Sequence, residues 1–187
     1  MNNQNGKIIT ISSVKGGVGK TTLTVNLAGL YFLMKKKVLI IDLDLYAGGV
    51  ATVTNVNNKK DIYMLVDALS NNKQVELSQY VCKYNNGIDV LASPKDPRDV
   101  SKIESKYISM IFDMAKREYD VIIVDTNHIM NEINLMILDH VDTTLFMITI
   151  IYVLVHGIKT ITRTGMILFF ISNGNSSPRC KASYILL

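Results

Sequence analysis

The chain has 187 residues, a mass of 20.9 kDa and a formal net charge of +4, with 48% hydrophobic and 19% charged residues. This composition excludes an intrinsically disordered chain, and two cysteines without metal-ligand spacing, Cys82 and Cys180, exclude a disulfide scaffold and predict free or buried thiols. The net charge comes from four scattered cations after residue 150, so we do not expect a nucleic-acid surface.

Apolar runs alternate along the chain between strand-like and helix-like spacing. They predict strands at residues 7–13, 38–43, 88–92, 120–125 and 143–150, and helices at residues 20–34, 48–69 (two short helices), 99–117 and 131–140. The helix at 99–117 is predicted to bury Ile103, Tyr107, Met110, Ile111 and Met114. Near-continuous apolar strands joined by helices predict an α/β three-layer sandwich with a mostly parallel sheet.

The segment SSVKGGVGKTT, residues 12–22, lies between the first strand and the first helix. It fits the phosphate-loop pattern with its first glycine relaxed to Val14. Glycines let backbone N–H groups approach phosphate oxygens, and the helix N-terminus favours the same negative charge. Lys20 is expected to reach the β- and γ-phosphates and Thr21 to bind Mg²⁺. The predicted nucleotide-binding residues are Lys15, Gly16, Gly17, Val18, Gly19, Lys20, Thr21 and Thr22.

Three aspartates follow or end buried strands. Asp42 lies at the end of the strand at 38–43, Asp44 comes directly after that strand, and Asp125 ends the strand at 120–125. Ligands of open α/β sheets bind at the carboxyl ends of the strands, which favours a functional role. The alternative is that each aspartate caps a helix or lies in a solvated loop.

With its second lysine, Lys15, the phosphate loop resembles that of the deviant Walker A ATPases, which include the MinD and ParA proteins. The resemblance implies a P-loop NTPase fold, ATP and Mg²⁺ as ligands, and a homodimer that sandwiches ATP. It implies that Lys15 reaches the partner's phosphates, that Asp44 orients the attacking water, and that Asp42 and Asp125 hold Mg²⁺ through water. The predicted catalytic residues are therefore Lys15, Lys20 and Asp44, and the predicted metal-binding residues are Thr21, Asp42 and Asp125.

Residues 7–149 further resemble the CpaE and TadZ ATPases of Tad/Flp pilus assembly. The segments DLDLYAGGVA, GIDVLASPKDP and YDVIIVDTNH carry this resemblance. In that family an aspartate and a threonine at the end of this strand are followed by two prolines. Here Asp125 and Thr126 are followed by Asn127 and His128. His128 is either a proton acceptor near the phosphates or an ordinary loop histidine.

Composition changes abruptly after residue 149, since residues 150–187 contain no acidic residue. We therefore divide the chain into an ATPase core, residues 1–149, and an atypical tail, residues 150–187. The tail is interpreted as a divergent end, with a last strand at 166–172, or as a truncated or out-of-frame product. Under either interpretation the predicted sheet is incomplete at its C-terminal end. The apolar run at residues 145–155, which crosses the boundary between the core and the tail, is too short to span a membrane.

The resemblance implies an ATPase that converts ATP and water to ADP and phosphate and acts as a dimeric switch for a pilus-assembly machine. The alternatives are a chromosome- or plasmid-partition or division-site ATPase, and a nucleotide-dependent scaffold that does not hydrolyse ATP. The polar start MNNQNGK does not resemble a signal peptide. We expect a cytoplasmic protein that is recruited to the membrane or cell pole through pilus or secretion partners.

Overall fold

The structure is a computed structural model, which describes residues 5–57, 59–129, 131–156, 159–172 and 181–186, with side chains as far as residue 148. Cys180 lies outside the described residues. The strands are β1 (Lys7–Ser13), β2 (Val38–Leu43), β3 (Cys82–Asn85), β4 (Ile88–Leu91), β5 (Val121–Thr126), β6 (Thr143–His156), β7 (Lys159–Ser172) and β8 (Lys181–Leu186). The α-helices are α1 (Lys20–Leu33), α2 (Gly49–Thr54), α3 (Ile62–Ser70), α4 (Ser105–Glu118) and α5 (Glu132–His140).

The strands form one sheet in the order β3-β4-β2-β5-β1-β6-β7-β8. The central run from β4 to β6 is parallel, whereas β3, β7 and β8 each pair antiparallel with a neighbour. β2 and β5 are buried along their whole length, because helices cover both faces of the sheet with two separate apolar clusters. The predicted α/β sandwich with a mostly parallel sheet is confirmed.

The predicted helix at 99–117 is wrong at its start. A 3₁₀ turn occupies Pro97–Lys102, and α4 begins only at Ser105. Asp96 accepts a hydrogen bond from the Arg98 N–H, and this cap with the following proline favours a short separate turn.

The predicted buried face of this segment is partly wrong. α4 buries Ile108, Ile111, Phe112 and Ala115, whereas Met110 is 46% exposed. The helix therefore turns a different stripe toward the sheet, and only part of the predicted set lies on it.

Two features of the sheet were not predicted. β3 has polar, mostly exposed residues and lacks the apolar alternation of a strand. β6 continues six residues beyond the predicted end at 150, and the predicted strand at 166–172 lies within the longer β7, which β8 follows. Antiparallel pairing of β6 with β7 extends over all 14 residues of each strand.

The parallel register brings the predicted site residues together at the carboxyl ends of the central strands. Asp42 of β2 lies beside Asp125 of β5, and Asp125 lies beside Ile11 near the end of β1. The loop between β1 and α1 begins at the same ends. Of the helices that the structure describes, none has both the length and the apolar character needed to cross a membrane.

Candidate nucleotide-binding site

The loop at residues 14–19 turns sharply between β1 and α1. Gly17 and Gly19 have φ angles of 74° and 93°, in the left-handed region that favours glycine. A side chain at Gly17 would contact nothing, so the backbone conformation rather than space requires glycine there. Lys15, Gly16 and Gly17 are exposed, and Val18 and Gly19 are half-buried. The loop therefore presents an open concave backbone in front of the first turn of α1.

Lys20 begins α1 and is 8% exposed. Its Nζ donates to Ser13 Oγ at 3.1 Å, and Ser13 Oγ donates to the Lys15 carbonyl at 2.7 Å. Among the described residues, no carboxylate forms an ion pair with Lys20. This nearly buried amine therefore has no carboxylate partner in the described part of the chain and can pair with an anion in the loop.

Thr21 and Asp125 connect α1 to the end of β5. Thr21 Oγ1 donates to Asp125 Oδ2 at 2.6 Å, and Asp125 is fully buried. Burial raises the pKa of Asp125 to about 6, against the opposing effects of Thr21 and Lys20. Its second oxygen, Oδ1, is buried without a hydrogen-bond partner. Such orphaned oxygens are rare, and this one, with the unpartnered Thr24 hydroxyl near it, fits a ligand that donates hydrogen bonds or carries positive charge.

Asp42 is buried between the end of β2 and the start of α2. Its two oxygens accept hydrogen bonds from the backbone N–H groups of Asp44 and Val50, each at 3.1 Å. Burial and the neighbouring Asp125 raise the pKa of Asp42 to about 7. The alternative role as a helix cap accounts for the bond from Val50, the second residue of α2.

Asp44 lies just beyond β2 and is half-buried. Its backbone carbonyl accepts hydrogen bonds from Ala47 and Gly48, which closes the turn leading to α2. Its carboxylate accepts no hydrogen bond within the described residues, and it contributes to the raised pKa values of both Asp42 and Asp125. The three aspartates thus form one electrostatically coupled group.

The remaining predicted residues differ in their surroundings. Thr22 is exposed, and its carbonyl accepts the Asn26 side chain at 2.8 Å. Lys15 is exposed, and its backbone carbonyl accepts the Ser13 hydroxyl that also holds Lys20. The described residues contain no group of three or more His, Cys, Asp or Glu side chains able to hold a metal ion by themselves. A cation at this site would therefore take ligands from Thr21, water and phosphate.

Sequence reasoning missed a clamp behind the loop. Asn127 Oδ1 accepts hydrogen bonds from the Asn134 side chain at 2.7 Å and from the Ile129 N–H at 3.0 Å. Both asparagines are 7% exposed. This clamp fixes the segment after β5 and holds His128 against the loop, where a Cβ on Gly16 would lie 3.5 Å from His128 Nδ1. Asparagine at the strand end and again in the first turn of α5 was the available signal.

The glycine loop, Lys20 and the Thr21–Asp125 contact lie together at the carboxyl ends of the strands, and a family model described as an AAA domain matches residues 6–173. The chain belongs to this family. Its homologues and structural neighbours include MinD and ParA-type ATPases. The match includes β1 to β7.

Curated relatives match about two thirds of this chain. The septum site-determining protein MinD of Helicobacter pylori is 26% identical over 119 residues, which are 64% of this chain and 44% of that protein. A virulence plasmid ParA family protein of Chlamydia psittaci is 30% identical over 127 residues, 64% of this chain and 48% of that protein. This chain thus spans less than half the length of these relatives.

Solved structures share the fold. MinD from Pyrococcus horikoshii, solved with Mg-ADP, has a TM-score of 0.65 and 24% identity over 75% of this chain and 57% of that chain. A putative plasmid partition protein of Borrelia burgdorferi bound to AMPPNP has a TM-score of 0.62 and 26% identity over 75% of this chain and 60% of that chain.

Proposed function

We propose that this chain binds ATP with Mg²⁺ at the edge formed by the phosphate loop and hydrolyses it as a nucleotide-dependent switch. The contact between Thr21 Oγ1 and Asp125 Oδ2, with Asp125 Oδ1 buried and unpartnered, carries this proposal. It is the arrangement expected of a hydroxyl that ligates Mg²⁺ and a carboxylate that accepts hydrogen bonds from metal-bound water.

The residues of the loop divide the task of holding the nucleotide. The backbone N–H groups of residues 16–22 and the N-terminus of α1 face the phosphates. Lys20 supplies a cation that no carboxylate of the described residues neutralises. Mg²⁺ would be held by Thr21 directly and by Asp125 and Asp42 through water, and it would supply charge that stabilises the leaving phosphate.

Asp44 and Lys15 would act on hydrolysis rather than on binding. Asp44 is half-buried and its carboxylate is unengaged, so it can hold and orient a water at the γ-phosphate. Lys15 lies in the exposed part of the loop, where it can reach the phosphates of a second protomer in a homodimer. We expect Asp44→Ala to stop turnover while nucleotide affinity stays within about threefold.

The Lys15 role has a separate test. Lys15→Ala is expected to bind ATP as a monomer but to lose nucleotide-dependent dimerisation and hydrolysis. Sedimentation velocity with a non-hydrolysable ATP analogue checks this, with Lys59→Ala as a control that removes an exposed lysine outside the loop. A dimer that survives Lys15→Ala would overturn the role in trans.

The switch is proposed to serve septum placement or plasmid partition. The relatives and structural neighbours include a septum site-determining protein and a putative plasmid partition protein, which supports this role. The role in pilus assembly remains a prediction from the segments DLDLYAGGVA and GIDVLASPKDP. Cytoplasmic location with recruitment to the membrane or pole also remains a prediction. Imaging a fluorescent fusion separates the roles, since midcell or nucleoid patterns favour the first and a stable pole focus beside pili favours the second.

A further inference from the structure

A concave surface lies at the edge of the sheet opposite the phosphate loop, where α1 ends and the β3–β4 hairpin turns. Two adjoining cavities of about 600 Å³ and 560 Å³ form it, and both are lined by Phe32 and Asn85. Volumes of this size are typical of binding sites. We call the pair the amino-edge groove.

One half of the amino-edge groove is basic. Four lysines line it, namely Lys35, Lys36, Lys37 and Lys83. Its one lining carboxylate, Asp89, already accepts Lys83 Nζ and the Tyr119 hydroxyl, each at 2.7 Å. Within the described part of the chain, no carboxylate pairs with Lys35 or Lys36. The half therefore carries an excess of positive charge that a negatively charged ligand would balance.

The other half is apolar and open to solvent. Leu30 and Leu33 of α1 are 59% and 72% exposed, and the adjacent Met34 is 65% exposed. Tyr84 of β3 closes this half from the opposite side at 40% exposure. A cluster of large exposed apolar side chains in a monomer marks an interaction surface.

β3 lines both halves, through Lys83 and Asn85 in the basic half and through Tyr84 and Asn85 in the apolar half. It is the outermost strand of the sheet, so among the described strands none pairs with its outer edge. Extended peptides often add to such an edge, since main-chain hydrogen bonds supply affinity there. Lys83 on β3 works against pairing with a second copy of this chain, because two basic halves would face each other.

We propose that the amino-edge groove binds an acidic segment of another protein, one that also carries large apolar side chains. Acidic side chains would pair with Lys35 and Lys36, and apolar side chains would cover Leu33 and its neighbours. The two cavities are concave, so they can accommodate a peptide better than they can accommodate the flat surface of a membrane.

The test uses fluorescence anisotropy with the full chain and a panel of labelled peptides of about 12 residues, long enough to extend about 40 Å. The panel mixes Glu and Asp with Leu, Phe and Tyr in varied order. A second panel replaces every acidic residue by Lys, and a third replaces every apolar residue by Ser. Members of the first panel are expected to bind, more weakly as salt rises, and the other two panels are not.

One variant tests each half. Lys35→Glu/Lys36→Glu and Leu33→Gln are each expected to weaken binding at least tenfold, because they change charge and apolar area without touching the buried core. The backbone N–H groups of Lys35 and Lys36 bond to α1 carbonyls, and these bonds are kept in the variants. The matched controls are Lys59→Glu/Lys73→Glu and Leu135→Gln, which change exposed side chains outside the groove and should bind as the parent does.

Four outcomes would overturn the proposal. One is that no peptide of the first panel binds to the folded parent chain. Another is that the controls lose as much affinity as the groove variants. The third is binding to phosphatidylglycerol vesicles, lost in the lysine variant, without peptide binding. The fourth is self-association in sedimentation that Leu33→Gln abolishes, since the groove would then bind a second copy.

Discussion

The sheet buries Asp89 near the amino ends of its parallel strands and Asp125 near their carboxyl ends, and these two carboxylates differ in their hydrogen-bond partners. Asp89 at the amino end is 3% exposed and accepts both Lys83 Nζ and the Tyr119 hydroxyl. Asp125 at the carboxyl end is fully buried and accepts a hydrogen bond from Thr21, while its Oδ1 and the nearby buried Thr24 hydroxyl both lack a hydrogen bond within the described residues. The first carboxylate is satisfied by the protein itself, whereas the second keeps one oxygen without a hydrogen bond.

The tyrosine beside Asp89 shows the same contrast. Burial, with Asp89 next to it, raises the pKa of the Tyr119 hydroxyl well above its usual range, so the hydroxyl stays a hydrogen-bond donor. At the carboxyl end, Lys20 is held by a serine hydroxyl and, among the described residues, pairs with no carboxylate. Structural and ligand-binding aspartates can thus be separated by what completes their hydrogen bonds.

The largest expected effect is at Lys20. Lys20→Ala removes the buried cation of the loop, and ATP affinity is expected to fall about a hundredfold, or ~2.7 kcal/mol. Isothermal titration measures this. Lys83→Ala is the matched control, because it removes a lysine from the opposite end and should leave ATP affinity unchanged. Equal affinity of Lys20→Ala and parent would contradict the assignment of the loop.

The next effect separates the two aspartates by stability. Asp89→Ala leaves the buried Tyr119 hydroxyl without a partner and is expected to lower the free energy of unfolding by about 1–3 kcal/mol. Asp125→Asn removes a buried charge, keeps an oxygen for Thr21, and should leave the nucleotide-free protein as stable as the parent or more stable at about pH 8. Urea unfolding compares them. A loss in Asp125→Asn as large as in Asp89→Ala would show that Asp125 is structural.

A smaller effect is expected from pH. Folding raises the pKa of Asp42 to about 7 and of Asp125 to about 6, so the folded protein holds protons that the unfolded chain releases near pH 4. Their contribution to stability is complete below about pH 4 and is lost as pH rises through 6 and 7. Asp125→Asn should flatten this loss, since it also removes the charge that raises the pKa of Asp42. The coupling of the two aspartates would be contradicted if, without nucleotide, the stability of Asp125→Asn fell as steeply between about pH 5 and 8 as the stability of the parent does.

The smallest effect concerns the clamp. Asn134→Ala breaks the bond to Asn127 and is expected to cost about 1 kcal/mol of stability and to lower kcat more than nucleotide affinity. Asn134→Asp, which keeps the size of the side chain but cannot donate to Asn127 Oδ1, should behave like the alanine variant. Full activity in both variants would show that the clamp does not position the segment that holds His128.

The sequence was sufficient for the parts that follow from periodicity and from the direction of parallel strands. Asp42 and Asp125 were expected at one edge because each ends a buried apolar run, and they lie side by side. The late start of α4 depends on Asp96 and Pro97, a local cap that overrides the apolar spacing. β3 lacked a strand pattern because it is an exposed edge with polar residues.

The clamp and the unpartnered oxygen could not be predicted for a different reason. Asn127 and Asn134 meet only because α5 starts close behind β5, and a sequence pattern does not fix that distance. The orphaned oxygen of Asp125 depends on the hydrogen bonds of its other neighbours, which are known only from three-dimensional structure. The roles of Lys15, Asp44 and Asp42 and the division of the chain at residue 149 remain predictions.

The Thr21–Asp125 pair is proposed to bind Mg²⁺ together with nucleotide. Isothermal titration of ATP into the parent and Asp125→Asn, each with Mg²⁺ and with a chelator, tests it most directly. The parent is expected to bind ATP at least tenfold more tightly with Mg²⁺, and Asp125→Asn should lose most of that gain while keeping the affinity seen with the chelator. An affinity in the parent that does not depend on Mg²⁺, or a gain that Asp125→Asn retains in full, would contradict the account.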